Sequence, residues 1–415
     1  MTTISVGMLG CGTVGSGVLT LLNRGANQIA ESLGVHFNIK KIAVKHPDKK
    51  RGLNITKDVS FTGEIENVIN DPSIQIVIEV MGTLDQAYKA IQQAITNGKS
   101  VITANKELIA LKGPQLTKLA HDNHVDLYYE ASVAGGIPIL RVLNESLITD
   151  QITGLTGIVN GTSNFVLSAM KTDHSSYEES LKQAQSLGYA EANPIKDIEG
   201  IDAAYKLSIL SQLAFGHSIN LKQLKRKGIE GVTSNDINGA EALGLTIKPA
   251  VIARKKDHEL FTLVGPVAVY KQNPLANVNG VENSVLVTST ALGTTSYSGP
   301  GAGSEPTANS VMSDLLAVTK HILLEQIGTS FNKTTDDIGE SSLMNLPLTY
   351  FLTLNSFTGD KAKISPKNYE YLKQVVKVNH AYFCVTKLLT KEQKNELTSA
   401  LANGVTEVHF YPILK

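Results

Sequence analysis

Ile4-Ser5-Val6-Gly7-Met8-Leu9-Gly10-Cys11-Gly12-Thr13-Val14-Gly15 is the stretch that decides the fold. Its first half is short and apolar, as a buried strand requires, and it runs directly into a Gly-x-Gly-x-x-Gly turn. Val14, Val18, Leu21 and Leu22 then recur as one apolar helical face. In a strand, turn and helix of this kind each glycine has its own task. Gly10 permits the tight turn, Gly12 lets backbone approach a pyrophosphate, and Gly15 lets helix and strand pack closely. The helix start at Thr13 and Val14 presents oriented N–H groups to an anion. A glycine turn that binds nothing is the competing reading; the position between strand and helix favours a dinucleotide.

Working outward, the second strand, Phe37 to Val44, ends in Lys45-His46 where an acid would hold the two ribose hydroxyls of NAD. Lys49, Lys50 and Arg51 follow. Cations at that place suit a 2'-phosphate, so NADP is expected over NAD, with NAD still possible and a solvated lysine loop as the plainer alternative. Strands at Ile74 to Val80, Val101 to Thr103 and Val125 to Tyr129 alternate with helical stretches at Leu84 to Thr96 and Leu108 to His121. This is the rhythm of an α/β, Rossmann-type doubly wound parallel sheet, which binds ligands at the carboxyl ends of its strands. Two such ends carry polar punctuation, Met81-Gly82-Thr83 and Ala104-Asn105-Lys106-Glu107, so Gly82, Thr83, Asn105 and Lys106 are candidates for cofactor contact. Lys106 either holds substrate and polarises a carbonyl or is a helix-start residue in water.

A second site is written into Leu187 to Lys206, which crowds Glu191, Asp197, Asp202 and Lys206 into an otherwise apolar segment. After Gly200, Ile201, Tyr205, Leu207, Ile209, Leu210 and Leu213 read as a largely buried helix, where a lone charge is costly. Asp202 and Lys206 are four apart, on one helical face, and are expected to pair. Glu191 and Asp197 arrive from the preceding loop, and three acids around one amine make a pocket for a zwitterion such as an amino acid. An ordinary salt bridge on a solvated face is the alternative.

Composition narrows the class. With 415 residues, 42% hydrophobic and 18% charged, the chain can bury a large core in two or three domains. Lysine plus arginine number 38 and so do aspartate plus glutamate, so no net field recruits nucleic acid or an anionic membrane. No apolar span is long enough to cross a bilayer and no basic leader opens the chain, so a cytoplasmic protein is expected. Cys11 and Cys384 are the only cysteines, too few for a disulfide framework or a zinc site, and the histidines show no ligand spacing beyond His121 and His124, which are expected to share a wet helix face.

Asn105-Lys106, the run Tyr129-Glu130-Ala131-Ser132-Val133-Ala134-Gly135-Gly136-Ile137-Pro138, Asn160-Gly161-Thr162-Ser163-Asn164, the opening segment and Gly299-Pro300-Gly301-Ala302-Gly303 form an ordered set. On it the chain closely resembles homoserine dehydrogenase over about residues 4 to 320. The resemblance implies reversible reduction of L-aspartate 4-semialdehyde to L-homoserine with NADPH or NADH, in threonine and methionine biosynthesis. It implies that Lys106 and Lys206 are paired catalytic lysines bracketing the reacting carbonyl, with Lys206 the candidate proton donor. It implies substrate binding by Glu191, Asp197, Asp202 and backbone groups of Gly161 and Thr162, and a monovalent cation, usually sodium, at Glu130, Val133, Gly135 and Ile137. A homodimer or higher homo-oligomer is expected. Asn193 departs from an acid common in the family, and Cys11, between the turn glycines, is expected to pack as a small apolar residue or to oxidise beside the helix N-terminus.

The expected organisation is a dinucleotide-binding domain over 1–130, completed by 299–325, and a mixed α+β substrate and dimerisation domain over 131–298. The latter holds strand-like runs at Ile152 to Val159, Leu260 to Val269 and Ser284 to Thr290. Gly301 and Gly303 return the chain to the cofactor ahead of a helix from Asn309 to His321. Past a polar linker, Gly328 to Ser342, a small module over 343–415 resembles an ACT domain. Its strands are expected at Leu348 to Leu354, Tyr382 to Thr386 and Glu407 to Pro412, with helices at Tyr369 to Val376 and Lys391 to Ala402. It lacks the Asp-Pro-Gly type effector signature, so feedback by threonine is doubted and subunit pairing is the alternative role. With no kinase-like segment ahead of residue 1 in this sequence, the monofunctional form is the one expected. A thioester-forming semialdehyde dehydrogenase would need a cysteine nucleophile that neither Cys11 nor Cys384 supplies. A catalytically silent dinucleotide-sensing regulator would have no use for two lysines and three acids.

Overall fold

A computed structural model describes residues 1–49, 51–52, 59–328, 338–355, 370–378, 381–402 and 407–414. Lys50, most of the linker (329–337) and Tyr369 of the expected C-terminal helix lie outside the described residues. The chain divides into two compact units: Met1–Gln151 with Ser208–Ser218 and Gly299–Asp336, and Ile152–Leu207 with Ile219–Ser298 and Asp337–Lys415.

The first unit holds six strands: β1 (Thr2–Leu9), β2 (Val35–Ala43), β3 (Ser60–Thr62), β4 (Ile76–Glu79), β5 (Ser100–Thr103) and β6 (Leu127–Tyr128). They pair in parallel in the order β3-β2-β1-β4-β5-β6. β4 and β5 are buried at every residue, as central strands covered on both faces must be. The winding direction reverses between β1 and β4, so Gly10 and the loops after Glu79 and Thr103 meet at the switch point. Helix Thr13–Leu33 lies against helix Ser304–Leu323, and a Cβ on Gly17 would come within 2.6 Å of the Ser304 carbonyl. That returning helix begins five residues before the expected start at Asn309, at Ser304.

The second unit carries β7 (Ile152–Ile158), β8 (Leu245–Lys256), β9 (Glu259–Tyr270), β10 (Glu282–Ser289), β11 (Gly293–Pro300), β12 (Gly339–Ser342), β13 (Tyr350–Asn355), β14 (Leu372–Val378), β15 (Ala381–Thr386) and β16 (Glu407–Leu414). They form one sheet ordered β11-β10-β7-β8-β9-β16-β13-β15-β14, with β12 also on β9. β8 was not expected because Pro249 interrupts it; the register sets Pro249 opposite Pro266, so neither missing N–H breaks a bond with a normal partner. The helix expected at Tyr369 to Val376 is instead strand β14 over Leu372–Val378, paired with β15. Leu372, Val375 and Val376 fit a helical spacing, but sheet pairing overrides the pattern. Helix Lys391–Ala402 and the strands around it fall where expected.

Candidate active site

In the first unit the glycine turn is built as its sequence requires. Gly10 has φ +99°, and a Cβ there would lie 2.6 Å from the Val80 carbonyl oxygen. A Cβ on Gly15 would lie 2.9 Å from the Gly10 carbonyl oxygen, so helix and strand touch through that glycine. Nothing lies within 4 Å of a Cβ built on Gly12, which leaves open space in front of the start of helix Thr13–Leu33. A cleft of about 430 Å³ extends from this turn past Lys45, Met81 and Thr83, a size typical of small-ligand pockets. These features fit a dinucleotide phosphate. Lys45 and Lys49 are exposed on the cleft loop. Arg51 is engaged in folding that loop: its guanidinium donates to the His46 and Lys49 carbonyls at 2.7 and 2.9 Å and lies 4.7 Å over the Phe61 ring. Burial raises the Cys11 thiol pKa.

The loops after β4 and β5 are tied together by a residue the sequence reading passed over. Glu79, fully buried, accepts from the Met81 N–H at 2.8 Å and the Thr103 hydroxyl at 2.6 Å, and burial raises its pKa. Asn105 caps helix Lys106–Asp122 through the Leu108 N–H, and its amide donates to the Thr83 carbonyl at 2.7 Å. Lys106 is therefore the first residue of a helix whose start is fixed from two sides. The signal for Glu79 was a single acid closing an apolar strand before a glycine turn.

Glu130, Val133, Gly135 and Ile137 form a buried turn in the same unit. Ala134 and Gly135 have φ of +55° and +51°, and a Cβ on Gly135 would lie 2.5 Å from the Gly301 carbonyl oxygen. The Gly135 carbonyl accepts from Ser310 at 2.6 Å. Glu130 accepts from the backbone N–H groups of Leu140 and Arg141 at 2.8 and 2.7 Å, and burial lifts its pKa to about 7. Its own N–H donates to Asp314, which also holds Arg141 at 2.7 Å. Gly301 and Gly303 precede helix Ser304–Leu323, whose first hydroxyl donates to the Thr13 carbonyl.

The second unit gathers the other candidates around the end of β7. Asp202 and Lys206 are 2% and 8% exposed and lie 2.8 Å apart, which excludes a solvated surface pair. The Lys206 ammonium also donates to the Val159 carbonyl at 2.6 Å. The Asn160 amide donates to Asp197 at 2.7 Å and to Asp202 at 2.8 Å. Thr162 donates to the Tyr189 carbonyl at 2.6 Å, holding the acid-bearing loop on helix Gly161–Thr172. A Cβ on Gly161 would lie 2.9 Å from the Val281 carbonyl oxygen, so the helix start admits only glycine without movement. Glu191 is exposed, and its carboxylate makes no hydrogen bond with this cluster. Among the described residues no cluster of three or more His, Cys, Asp or Glu is set to hold a metal ion.

A parallel sheet with a glycine turn at its switch point, and a buried amine paired with a carboxylate, fit a nicotinamide-dinucleotide oxidoreductase. Family models described as the NAD binding domain of homoserine dehydrogenase and as homoserine dehydrogenase match residues 10–130 and 138–316. The homoserine dehydrogenase of Bacillus subtilis (strain 168) is 45% identical over 331 residues, 80% of this chain and 76% of that protein. That of Lactococcus lactis is 40% identical over 334 residues, 80% of this chain and 78% of the relative. Among solved structures, a homoserine dehydrogenase from Thiobacillus denitrificans superposes with TM-score 0.91 at 36% identity, over 100% of this chain and 99% of that one. A hyperthermophilic archaeal homoserine dehydrogenase in complex with NADPH aligns at TM-score 0.65 and 26% identity, covering 77% of this chain and 98% of its own. The chain belongs to the homoserine dehydrogenase family. Among the described residues no helix is long and apolar enough to cross a membrane.

Proposed function

We propose that the chain interconverts L-aspartate 4-semialdehyde and L-homoserine with Lys206 as the proton-transferring residue. The observation that carries this is the buried Lys206, held between the Asp202 carboxylate at 2.8 Å and the Val159 carbonyl at 2.6 Å. Charge builds on the aldehyde oxygen during reduction, and an ammonium fixed on two anchors stabilises it and delivers a proton without reorganising. Asp202 is the counter-ion of that amine. Asp197, Glu191 and the Gly161 and Thr162 backbone bind the amino-acid end of the substrate. Lys106, at its capped helix start, is a second cation for substrate. The bound nicotinamide dinucleotide supplies or takes the hydride.

Gly10, Gly12, Thr13, Val14 and Gly15 hold its pyrophosphate, and Gly82, Thr83, Asn105, Gly301 and Gly303 line the rest of its path. The exposed Lys45 and Lys49 beside the cleft support NADP over NAD. The consecutive positive-φ residues Ala134 and Gly135 support a sodium site made of main-chain carbonyls at Glu130, Val133, Gly135 and Ile137. The family resemblance supports a homodimer in the cytoplasm, with the strands after residue 343 as an ACT-like module. Initial rates of homoserine oxidation with NADP and with NAD, in sodium and in potassium buffers, test the reading. Turnover with NADP preferred is expected, and dinucleotide binding without turnover on homoserine would refute it.

A further inference from the structure

We infer that Asn160 is a positioning residue for this reaction, setting the two acids and, through Asp202, the proton-transferring lysine; this rests on the assignment of Lys206, Asp202 and Asp197 just made. Asn160 follows β7 and is buried. Its Nδ2 donates to Asp197 Oδ1 at 2.7 Å and to Asp202 Oδ2 at 2.8 Å, while its Oδ1 accepts from the Ser163 N–H at 2.9 Å. A primary amide has two N–H donors, and here both go to carboxylates, giving charge-assisted bonds.

The residue type is informative. Capping helix Gly161–Thr172 needs only an acceptor, which serine, threonine or aspartate supplies as well. Among the common capping side chains only asparagine also donates two N–H groups. The acids it joins come from separate elements, Asp197 from the short helix Ile195–Ile198 and Asp202 from helix Ile201–Phe215. One planar amide therefore fixes their separation and offsets the repulsion between two carboxylates. Asp202 Oδ2 accepts from both Asn160 and Lys206, and Lys206 is anchored on the carbonyl of Val159, the neighbouring residue. The Val159-Asn160 pair thus grips the ammonium directly and its counter-ion through the amide.

The test uses the full chain with Asn160→Ser, which keeps an acceptor for Ser163 but deletes both donors, beside Asn160→Ala, which deletes all three contacts. kcat and KM for homoserine oxidation are read together with NADPH affinity by fluorescence. Two lost bonds to charged groups predict about a 10- to 100-fold fall in kcat/KM for both variants, most of it in kcat, with NADPH affinity kept within about twofold. Wild-type kinetics for Asn160→Ser beside an impaired Asn160→Ala would reduce Asn160 to a helix cap and overturn the inference. If Asn160→Ser fails to fold, Asn160→Asp, isosteric and still a cap, carries the test: a fall in kcat with cofactor affinity retained is expected, and unchanged kinetics overturns it. An active Lys206→Ala would overturn the underlying assignment, whereas an inactive Lys206→Ala beside a fully active Asn160→Ser overturns the role of Asn160 alone.

Discussion

At the scale of single residues, buried charge separates the site from the framework. Lys206 is buried against a carboxylate, but Lys248, also buried, donates only to the Val278 carbonyl at 2.5 Å and the Asn279 side chain at 2.9 Å. Burial, with Lys171 nearby, lowers the Lys248 pKa to about 7. In the unfolded chain the same amine titrates near ~10.4. Between those values the unfolded state binds more protons, so stability rises with pH across the window and the penalty is full below the lower value. Melting temperatures at neutral and mildly alkaline pH should climb more steeply for the wild type than for Lys248→Met. Equal slopes would show that Lys248 stays charged in the fold.

At the scale of elements, Asp236 ties the C-terminal strand to a helix of the second unit. It lies in the first turn of helix Ser234–Ala242, in a reciprocal cap with Thr233, and the same carboxylate oxygen accepts from His409 at 2.8 Å and Tyr411 at 2.9 Å on β16. The Asp236 bond raises the His409 pKa, and the His409 bond in turn helps keep the Asp236 carboxyl low despite burial. Asp236→Ala should cost about 3–5 kcal/mol in urea unfolding, the usual range when a buried charged partner is removed. A loss under about 1 kcal/mol would mean that the strand is held by packing alone.

Elements also show what the sequence could disclose. The turn at Gly10 to Gly15, the central strands and the Asp202 to Lys206 spacing were legible because local sterics and periodicity dictate them. Glu79, Asp236 and the two donor bonds of Asn160 were not, because the partners that set them apart (Thr103, His409 and Tyr411, Asp197 and Asp202) lie 24 to 175 residues away in sequence. β8 was hidden by Pro249, whose partner Pro266 only the register reveals, and β14 because a short apolar run fits either period.

At the scale of the whole molecule, the C-terminal strands belong to the second unit. β16 pairs in parallel with β9 through Ile413 with Ala268 and Leu414 with Val269, and Phe351, Phe383 and Tyr411 share one core with Leu245, Ile247 and Ala268. A methyl group on Gly239 would overlap the Phe383 ring. The archaeal relative is matched along 98% of its length by 77% of this chain, so the family also folds in a shorter form. Here, removing residues 338–415 would strip one edge from β9 and expose that core. The truncated chain should aggregate or melt well below the full chain in a thermal-shift assay; full stability and activity would make the module a dispensable appendage.

The most direct test of the account is Lys206→Ala, with homoserine turnover and NADPH binding measured on one preparation. The buried ion pair and the proton-transfer role proposed for Lys206 predict a loss of about 100- to 10,000-fold in kcat with cofactor affinity nearly unchanged. Turnover within about twofold of the wild type would contradict it, and the catalytic proton would then have to move through another group.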